Sequence, residues 1–474
     1  MAGSIASPKP LRCAQPDVAP AQQPMPASSG LHVAPPGVMR VLITDGGERV
    51  ALAVARSLVR ADHEVYVAAA TRLSLAGVSR GVRPRVLASD ALTDPAAYAA
   101  EIARLARREG IELLLPLTDP SVEALLEYRE DLPPGVLLPF PDVATYRAAS
   151  DKARVMTLAQ ESGFAIPETR MLRDPEDARA GVPDAAFFPA VVKPHRSVVT
   201  VDGRRRKVAV IPVADAAACR RALAALPGAA YPVLLQRHVT GAGEGFFALR
   251  WGGRTVAMFA HRRLREKPPG GGVSVYRESI PLHARLVEPG LRLLEALDWQ
   301  GVAMVECKRE AGTDREVIME VNGRFWGSLQ LAIDAGVDFP ELLARCAAGE
   351  TVPQSSHYRS GVRSRWFWGD VDHLYLRLRD GGGSRLRAVL DFLRVTPGRD
   401  REEIWRWRDP LPFLVETLRW FTPGTTGARS RSTAAPTESL PDSGARRDAP
   451  AAAAPPPPAR SIPGGAGERV TARR

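Results

Sequence analysis

The sequence has 474 residues, a formal net charge of +11, 42 prolines and four cysteines. No run of 18 or more apolar residues occurs, which excludes a transmembrane helix, and no apolar segment near the start indicates a secretory signal. The scattered cysteines argue against a disulfide framework and are typical of a reducing, cytoplasmic compartment. No RNP, zinc-finger or helix-turn-helix pattern accompanies the positive charge, so we expect no nucleic-acid partner.

The two ends of the chain differ in composition from the rest. Residues 1–38 and 422–474 together hold 17 of the 42 prolines, and this composition predicts disorder. Met39 opens directly onto the strand-like run MRVLIT, and one hypothesis is that Met39 is the true initiator. Residues 39–421 have an ordinary globular composition and are numerous enough to bury a substantial core.

Residues 39–148 alternate short apolar runs with helical periodicity. Strands are predicted at 41–43, 64–68, 85–88 and 111–115, and helices at 48–60, 95–108 and 121–128. This alternation predicts a parallel sheet with helices on its faces. The first turn, Asp45-Gly46-Gly47, lacks the full G-x-G-x-x-G pattern and a Walker lysine. Its glycines either let the backbone come close to a ligand or form a tight turn.

The strongest chemical signal lies in residues 302–324. VAMVECK predicts a strand that ends at Glu306, and VIMEVN predicts a second strand that carries Glu320 and Asn322 two residues apart, hence on one face. A short Gly-containing loop separates the two strands. Two carboxylates and an amide oxygen are ligands suited to magnesium beside nucleotide phosphates, and Arg324 adds a fork for phosphate oxygens.

At these residues the sequence resembles the ATP-grasp superfamily, in particular predicted carboxylate–amine ligases related to carbamoyl-phosphate synthetase and biotin carboxylase. The resemblance covers residues 39 to about 347. It implies a mixed α/β and α+β fold, with a Rossmann-like pre-ATP-grasp domain at 39–148 and a two-lobed ATP-grasp domain at 149–347 whose small lobe spans about 187–238. It further implies that the Glu306, Glu320 and Asn322 side chains hold Mg²⁺, with Mn²⁺ as an alternative, and that Arg324 contacts the γ-phosphate of ATP.

Two lysines match phosphate-binding positions of the same superfamily. Lys152 follows Asp151 at the start of a predicted helix, and Lys193 ends the apolar strand PAVVK before Pro194. The resemblance implies that both ammonium groups reach nucleotide phosphates and that Lys193 acts in catalysis. Many relatives carry a Gly-rich flap at this point, whereas this chain has a basic hairpin tip at 204–207, which either closes over phosphates or is a solvated turn.

The adenosine half of ATP is assigned to the segment VLLQRHVTGAGEG. By resemblance, the backbone near Arg237 and Val239 contacts the adenine ring, and Glu244 contacts the ribose hydroxyls. Gln236 stands where many relatives have glutamate, so the role of its side chain stays open. A later Gly-rich loop, 270–272, is predicted to close beside the acceptor substrate, and Arg277 next to it is a candidate catalytic residue that orients a carboxylate.

The resemblance implies an ATP-dependent ligase that activates a small-molecule carboxylate as an acyl phosphate and joins it to an amine. One alternative is a carboxylating or carbamoylating enzyme that uses bicarbonate, and another is a catalytically silent ATP-binding sensor. The superfamily also suggests a homodimer.

Residues 348–421 are rich in tryptophan and arginine and are predicted to be mainly helical. Leu411, Leu414, Val415, Leu418 and Phe421 form one stripe of a predicted final helix. Interleaved Trp and Arg in 363–421 suit a membrane headgroup region. The alternative is a helical region that packs its tryptophans against the rest of the chain.

Overall fold

The computed structural model describes residues 37–380 and 384–422. The predictions of disorder at both termini and of initiation at Met39 concern residues that lie largely outside these ranges. The helices are α1 (Arg49–Arg60), α2 (Pro95–Glu109), α3 (Asp119–Glu127), α4 (Val143–Ser150), α5 (Lys152–Glu161), α6 (Pro175–Ala180), α7 (Ala216–Ala224), α8 (Ala284–Ala296), α9 (Leu329–Ala335), α10 (Phe339–Ala347), α11 (Phe367–Asp380), α12 (Arg385–Leu393) and α13 (Leu411–Phe421).

The strands form four sheets. They are β1 (Arg40–Ile43), β2 (Glu64–Ala69), β3 (Val82–Val86), β4 (Leu113–Leu115), β5 (Thr169–Leu172), β6 (Ala190–Pro194), β7 (Val198–Val201), β8 (Arg204–Lys207), β9 (Ile211–Val213), β10 (Val233–Arg237), β11 (Gly241–Trp251), β12 (Arg254–Lys267), β13 (Val273–Ser279), β14 (Gly301–Glu310), β15 (Glu316–Asn322), β16 (Arg363–Arg365) and β17 (Asp400–Glu402).

The first sheet has the order β3-β2-β1-β4, and all its strands are parallel, as the alternating pattern predicts. Its third strand begins three residues before the predicted one. The glycines at 46–47 form a tight turn: a Cβ on Gly46 would lie 2.5 Å from Val67 Cγ1. The Asp45 carboxylate accepts the Leu117 N–H at 3.0 Å and the Thr118 hydroxyl at 3.0 Å, which ties this turn to the start of α3.

The second sheet has the order β5-β10-β6-β9, with antiparallel pairing, and the hairpin β7–β8 is a separate two-stranded sheet. Buried residues of β6 and β10 pack against α7 and the turn at 185–187. The sheet includes β5, which lies ahead of the small-lobe bound expected near residue 187. The hairpin occupies the position of the expected flap.

The third sheet has seven strands in the order β15-β14-β11-β12-β13-β16-β17. Neighbouring residues of β11 point to opposite faces, as strand geometry requires. Phe246 packs against Gly290 of α8 on one face, whereas Phe247 lies 4.3 Å from the ring of Trp326 on the other. We call the α8 side the back face and the Phe247 side the front face.

Tryptophans of the C-terminal region pack mainly within the protein, which agrees with the packing alternative. The Trp368 and Trp420 rings stack with centroids 4.4 Å apart, and Trp366 Nε1 donates to Glu416 at 2.7 Å. Trp407, by contrast, is 87% exposed. Among the described residues, no helix is long and apolar enough to cross a membrane.

Candidate active site

Two front-face carboxylates face each other across the β14–β15 pair. Glu306 is the direct cross-strand partner of Glu320, so their side chains share one face. Asn322 Nδ2 donates to Glu320 Oε1 at 3.0 Å, which leaves the amide oxygen of Asn322 free to act as a ligand. Burial raises the pKa of Glu306. The predicted magnesium ligands are therefore brought together, and their oxygen donors fit a hard divalent cation.

Arg263 of β12 is the nearest cation to this pair, and sequence reasoning missed it. Its Nη2 lies 2.6 Å from Glu306 Oε2, and its Nη1 lies 3.2 Å from Glu266 Oε1. The arginine crosses Gly243 of β11, where an added Cβ would lie 2.8 Å from Arg263 Cδ. Gly243 of the AGEG run makes room for this side chain, and that glycine is the signal that could have pointed to it.

The two predicted lysines approach the carboxylates from the second sheet and from α5. Burial lowers the pKa of Lys193 to about 8, although Glu320 opposes this effect. Lys152 is buried, its Nζ lies 3.4 Å from Ser197 Oγ, and its N–H donates to the His195 carbonyl at 3.0 Å. Asp151 caps α5 and so fixes where Lys152 lies.

Arg324 is held by the first residue of α3. Its Nε donates to Asp119 Oδ1 at 2.8 Å, and its Nη1 donates to the Phe325 carbonyl at 3.1 Å. A cavity of about 40 Å³ lies beside this pair, and its lining includes Asp119, Lys152, Glu320 and Asn322. Helix α3, which follows the last strand of the first sheet, thus contributes a carboxylate to the wall of the candidate site.

A larger cavity of about 500 Å³ lies next to the β7–β8 hairpin. Its lining includes Arg147, Arg196 and Arg205 together with Glu123 and Glu127. The basic residues 204–207, expected at the hairpin tip, form strand β8, and the turn lies at 202–203. Arg205 of β8 forms an ion pair with Glu127 of α3. The hairpin therefore contacts α3 in this structure, and charged groups of both signs surround a space large enough for a small substrate.

The expected adenine-binding segment lies at the end of β10. Gln236 is buried and donates from Nε2 to Thr169 Oγ1 at 3.1 Å. The Arg237 N–H already donates to the Glu168 carbonyl at 2.9 Å, and the Val239 carbonyl accepts from Lys308 Nζ at 2.9 Å. The side chain of Gln236 thus makes a hydrogen bond within the second sheet, while the backbone of Val239 is hydrogen-bonded to a residue on the front face of the third sheet.

Glu244 does not join the other predicted residues. Gly245 pairs with Glu306, whereas Glu244 pairs with Cys307. Because neighbouring strand residues point to opposite faces, Glu244 lies on the back face, behind the sheet from the magnesium ligands. Glu266 is the carboxylate that flanks Arg263 on the front face, with Oε1 only 3.1 Å from where a Gly243 Cβ would lie.

The structure does not support a substrate contact for Arg277. Its side chain is 0% exposed and forms an ion pair with Glu403, and its Nη1 donates to the Ser274 carbonyl at 2.9 Å. Arg262 and Arg265, which also flank the 270–272 loop in sequence, are paired with Glu278 at 2.8 Å and Asp370 at 2.9 Å.

Comparisons with known proteins agree with this architecture. The family profile described as "ATP-grasp in the biosynthetic pathway with Ter operon" matches residues 245–369. No curated protein sequence matches the chain.

Three solved structures resemble the fold. The biotin carboxylase domain of Hydrogenobacter thermophilus 2-oxoglutarate carboxylase, in complex with MgADP, ADP and bicarbonate, has a TM-score of 0.53 at 15% identity and covers 69% of this chain and 73% of its own. Staphylococcus aureus N5-carboxyaminoimidazole synthetase with ADP has a TM-score of 0.53 at 12% identity and covers 69% and 80%. The L-amino acid ligase of Bacillus licheniformis has a TM-score of 0.51 at 15% identity and covers 65% and 74%. At such identities these likenesses establish the fold, and the substrates must be argued from the residues of this chain.

Proposed function

We propose that this chain, whose fold is that of the ATP-grasp superfamily, is an ATP- and magnesium-dependent ligase that joins a carboxylate to an amine. The observation that carries the proposal is the convergence of four charged groups from separate elements. Glu306 and Glu320 face each other on the third sheet, and the surroundings of Lys193 include both carboxylates and Lys152. Such an arrangement of cations and hard oxygen ligands suits a metal-bound triphosphate.

Magnesium would be held by Glu306, Glu320 and the amide oxygen of Asn322. Bound there, the ion would neutralise phosphate charge and fix the geometry of the phosphates. Lys152 and Lys193 would balance the charge of the phosphates. Arg324, positioned by Asp119, would stabilise the transferring phosphoryl group.

The reaction we propose has two steps. A substrate carboxylate oxygen attacks the γ-phosphorus of ATP, the bond to the bridging oxygen breaks, and ADP leaves with that electron pair. An amine then attacks the carbon of the acyl phosphate, and inorganic phosphate leaves as the amide forms and the nitrogen loses a proton. The 500 Å³ cavity beside the β7–β8 hairpin is the space we assign to the acceptor substrates.

Ribose recognition in our proposal falls to Glu266, since Glu244 lies on the back face. Glu266 lies next to Arg263, which contacts Glu306, so it borders the same front-face site. A carboxylate there can accept hydrogen bonds from ribose hydroxyls.

The experiment that tests the ligase measures ADP release from full-length protein with Mg-ATP across pooled carboxylates and amines. We expect ADP release that needs both substrates and is lost in Glu320→Ala. The control Glu244→Gln also removes one carboxylate charge, but on the back face, and should retain ADP release. Release with bicarbonate alone would favour the carboxylating alternative. ATP binding without turnover in any pool would favour the sensor.

We also propose that the protein contacts an anionic membrane surface. The exposed apolar and basic side chains of residues 384–422 support this proposal. Two helical stripes there are 49–69% exposed, namely Leu386, Leu390 and Leu393 of α12 and Leu411, Leu414, Leu418 and Phe421 of α13. The exposed arginines within 384–422 are Arg385, Arg387, Arg394, Arg399, Arg401 and Arg408. Apart from Asp391 of α12, whose side chain is 45% exposed, the exposed charged neighbours of these stripes are cationic, which suits an anionic headgroup layer.

Co-sedimentation of the full chain with vesicles tests this contact. We expect binding to vesicles that contain phosphatidylglycerol, weaker binding at high salt and loss in Leu390→Glu, whereas Met171→Glu, an exposed apolar residue of β5, has no effect. Absence of binding to anionic vesicles would overturn the proposal. Light scattering on the protein without vesicles tests the predicted homodimer.

A further inference from the structure

A second cluster of possible metal ligands lies on the back face of the third sheet. One ligand atom each from Glu244, His283 and Glu316 lies within 4.8 Å of the others. Glu244 belongs to β11, Glu316 begins β15, and His283 immediately precedes α8. The cluster is therefore assembled from three elements that are separated in sequence.

The strand register separates this cluster from the candidate active site. Glu244 pairs with Cys307, and Glu316 pairs with Arg309, two residues farther along β14. Cys307 and Arg309 point to the face opposite Glu306. The back-face carboxylates are thus not ligands of the nucleotide-bound magnesium.

The cluster carries more negative charge than its surroundings balance. The side chains of Glu244 and Glu316 are 1% and 2% exposed, and burying two carboxylates is costly without matching cations. Arg309 supplies one charge, with Nε 3.4 Å from Glu316 Oε1 and 3.9 Å from Glu244 Oε1. Two carboxylates beside this one guanidinium leave one negative charge without a paired cation among these three side chains.

One oxygen atom of the Glu316 carboxylate is available to a ligand. Its Oε2 atom is buried and has no hydrogen-bond partner within residues 37–380 and 384–422, and a buried acceptor without a partner calls for an ion or another donor. His283 Nε2 lies 3.3 Å from Glu244 Oε2, and its side chain is 27% exposed, so an ion can enter from solvent past the imidazole.

We propose that Glu244, His283 and Glu316 bind a divalent transition-metal ion, of which Zn²⁺ is the closest match. One imidazole nitrogen and two carboxylate oxygens are a typical set for zinc, with water in a fourth position, whereas magnesium prefers oxygen ligands alone. The ion ties the residue before α8 to β11 and β15. Because β11 follows the adenine-binding segment directly, the metal stabilises the base of the nucleotide site without entering it.

The test is Zn²⁺ binding to metal-free, full-length protein by calorimetry in excess Mg²⁺, which occupies the front-face site. We expect one bound Zn²⁺ and a higher melting temperature in wild type. His283→Ala should weaken binding about tenfold or more, since loss of even an indirect partner costs about 10–100-fold. Arg309→Gln should tighten binding, because it removes the competing cation.

Two controls keep the result interpretable. His357→Ala removes an exposed histidine elsewhere, and Glu306→Gln alters the front face; both should bind Zn²⁺ as wild type does. Glu316→Gln, which conserves shape, guards against misfolding of the histidine variant. No zinc binding in wild type, or equal binding in wild type, His283→Ala and Glu316→Gln, would overturn the proposal.

Discussion

Replacing Glu403 should show that Arg277 has a structural role. The Glu403 carboxylate is nearly fully buried and pairs with two arginines, Arg277, which is 0% exposed, and Arg49 of α1, whose Nη1 lies 2.7 Å away. Glu403→Gln leaves a fully buried guanidinium without a counter-charge, and breaking a buried pair in this way costs about 3–5 kcal/mol. That is a large part of a typical unfolding free energy of roughly 5–15 kcal/mol. Urea unfolding of wild type and variant measures the difference.

The double variant Arg277→Met/Glu403→Leu provides the control. It removes both charges, so we expect it to recover much of the lost stability, because no charge stays buried at this pair. Arg49 is partly exposed and stacks on Trp366 at 3.9 Å, so it keeps a favourable position. Carboxylate-dependent ADP release per folded molecule should stay near wild type. If Arg277→Met unfolds like wild type yet loses this activity, the arginine contacts substrate and our reasoning is refuted.

Three further changes test other parts of the structure. Burial raises the pKa of Glu416 from 4.5 to about 8, so the folded state holds a proton that the unfolded chain releases; stability should fall as pH rises from about 5 to 8, and melting of Glu416→Gln should depend less on pH. Gly243→Ala places a methyl 2.8 Å from Arg263 Cδ, whereas Gly47→Ala meets nothing within 4 Å; calorimetry should show weaker ATP binding only in the first. Because burial lowers the pKa of Lys193 to about 8, its ammonium group is charged below that pH and loses its proton above it. The affinity for ATP should therefore fall about tenfold by pH 9 in wild type but not in Lys193→Arg. An affinity for ATP that does not change with pH in wild type would contradict this.

The fold class could be predicted because its signals are local. Alternation of strand and helix in residues 39–148 requires a parallel sheet, and the structure has one. The Glu306–Glu320 pairing could also be anticipated, since a short loop joins two adjacent strands and the register of such a hairpin is restricted. The third strand of the first sheet was misplaced because VRPRV is a polar edge strand with little apolar periodicity.

Residues whose partners lie far along the chain could not be assigned from local patterns. Arg262, Arg263 and Arg265 look alike in sequence, yet only Arg263 pairs with Glu306. Arg262 lies opposite Glu244 on the back face, and a register shift in β12 follows Arg263. Arg277 looked like a substrate ligand beside a mobile loop, but its partner Glu403 is 126 residues away. Local sequence carries no information about such a charge balance.

The apolar stripe of α13 shows a similar ambiguity. Helical periodicity correctly predicts that Leu411, Leu414 and Leu418 share one side, and a shared apolar side usually faces a core. In this structure that side is exposed, because Phe413 and Thr417 make the inward contacts with α11. Periodicity defines a face, and only the tertiary packing shows what covers it.

In the third sheet, the register of the strands decides which carboxylates can act in the candidate active site. The sheet carries a pair of glutamates on each face, Glu306 with Glu320 in front and Glu244 with Glu316 behind. In a strand, a shift of one residue in the register places a side chain on the opposite face of the sheet. An alignment error of one position in the loop before β11 therefore decides whether Glu244 is assigned to the ribose or to the back face. Resemblance to relatives fixes the strand but not this parity. For that reason Glu244→Gln and Glu266→Gln, which are chemically identical changes on opposite faces, should separate: only the second should weaken ATP binding in calorimetry, and only the first should weaken Zn²⁺ binding.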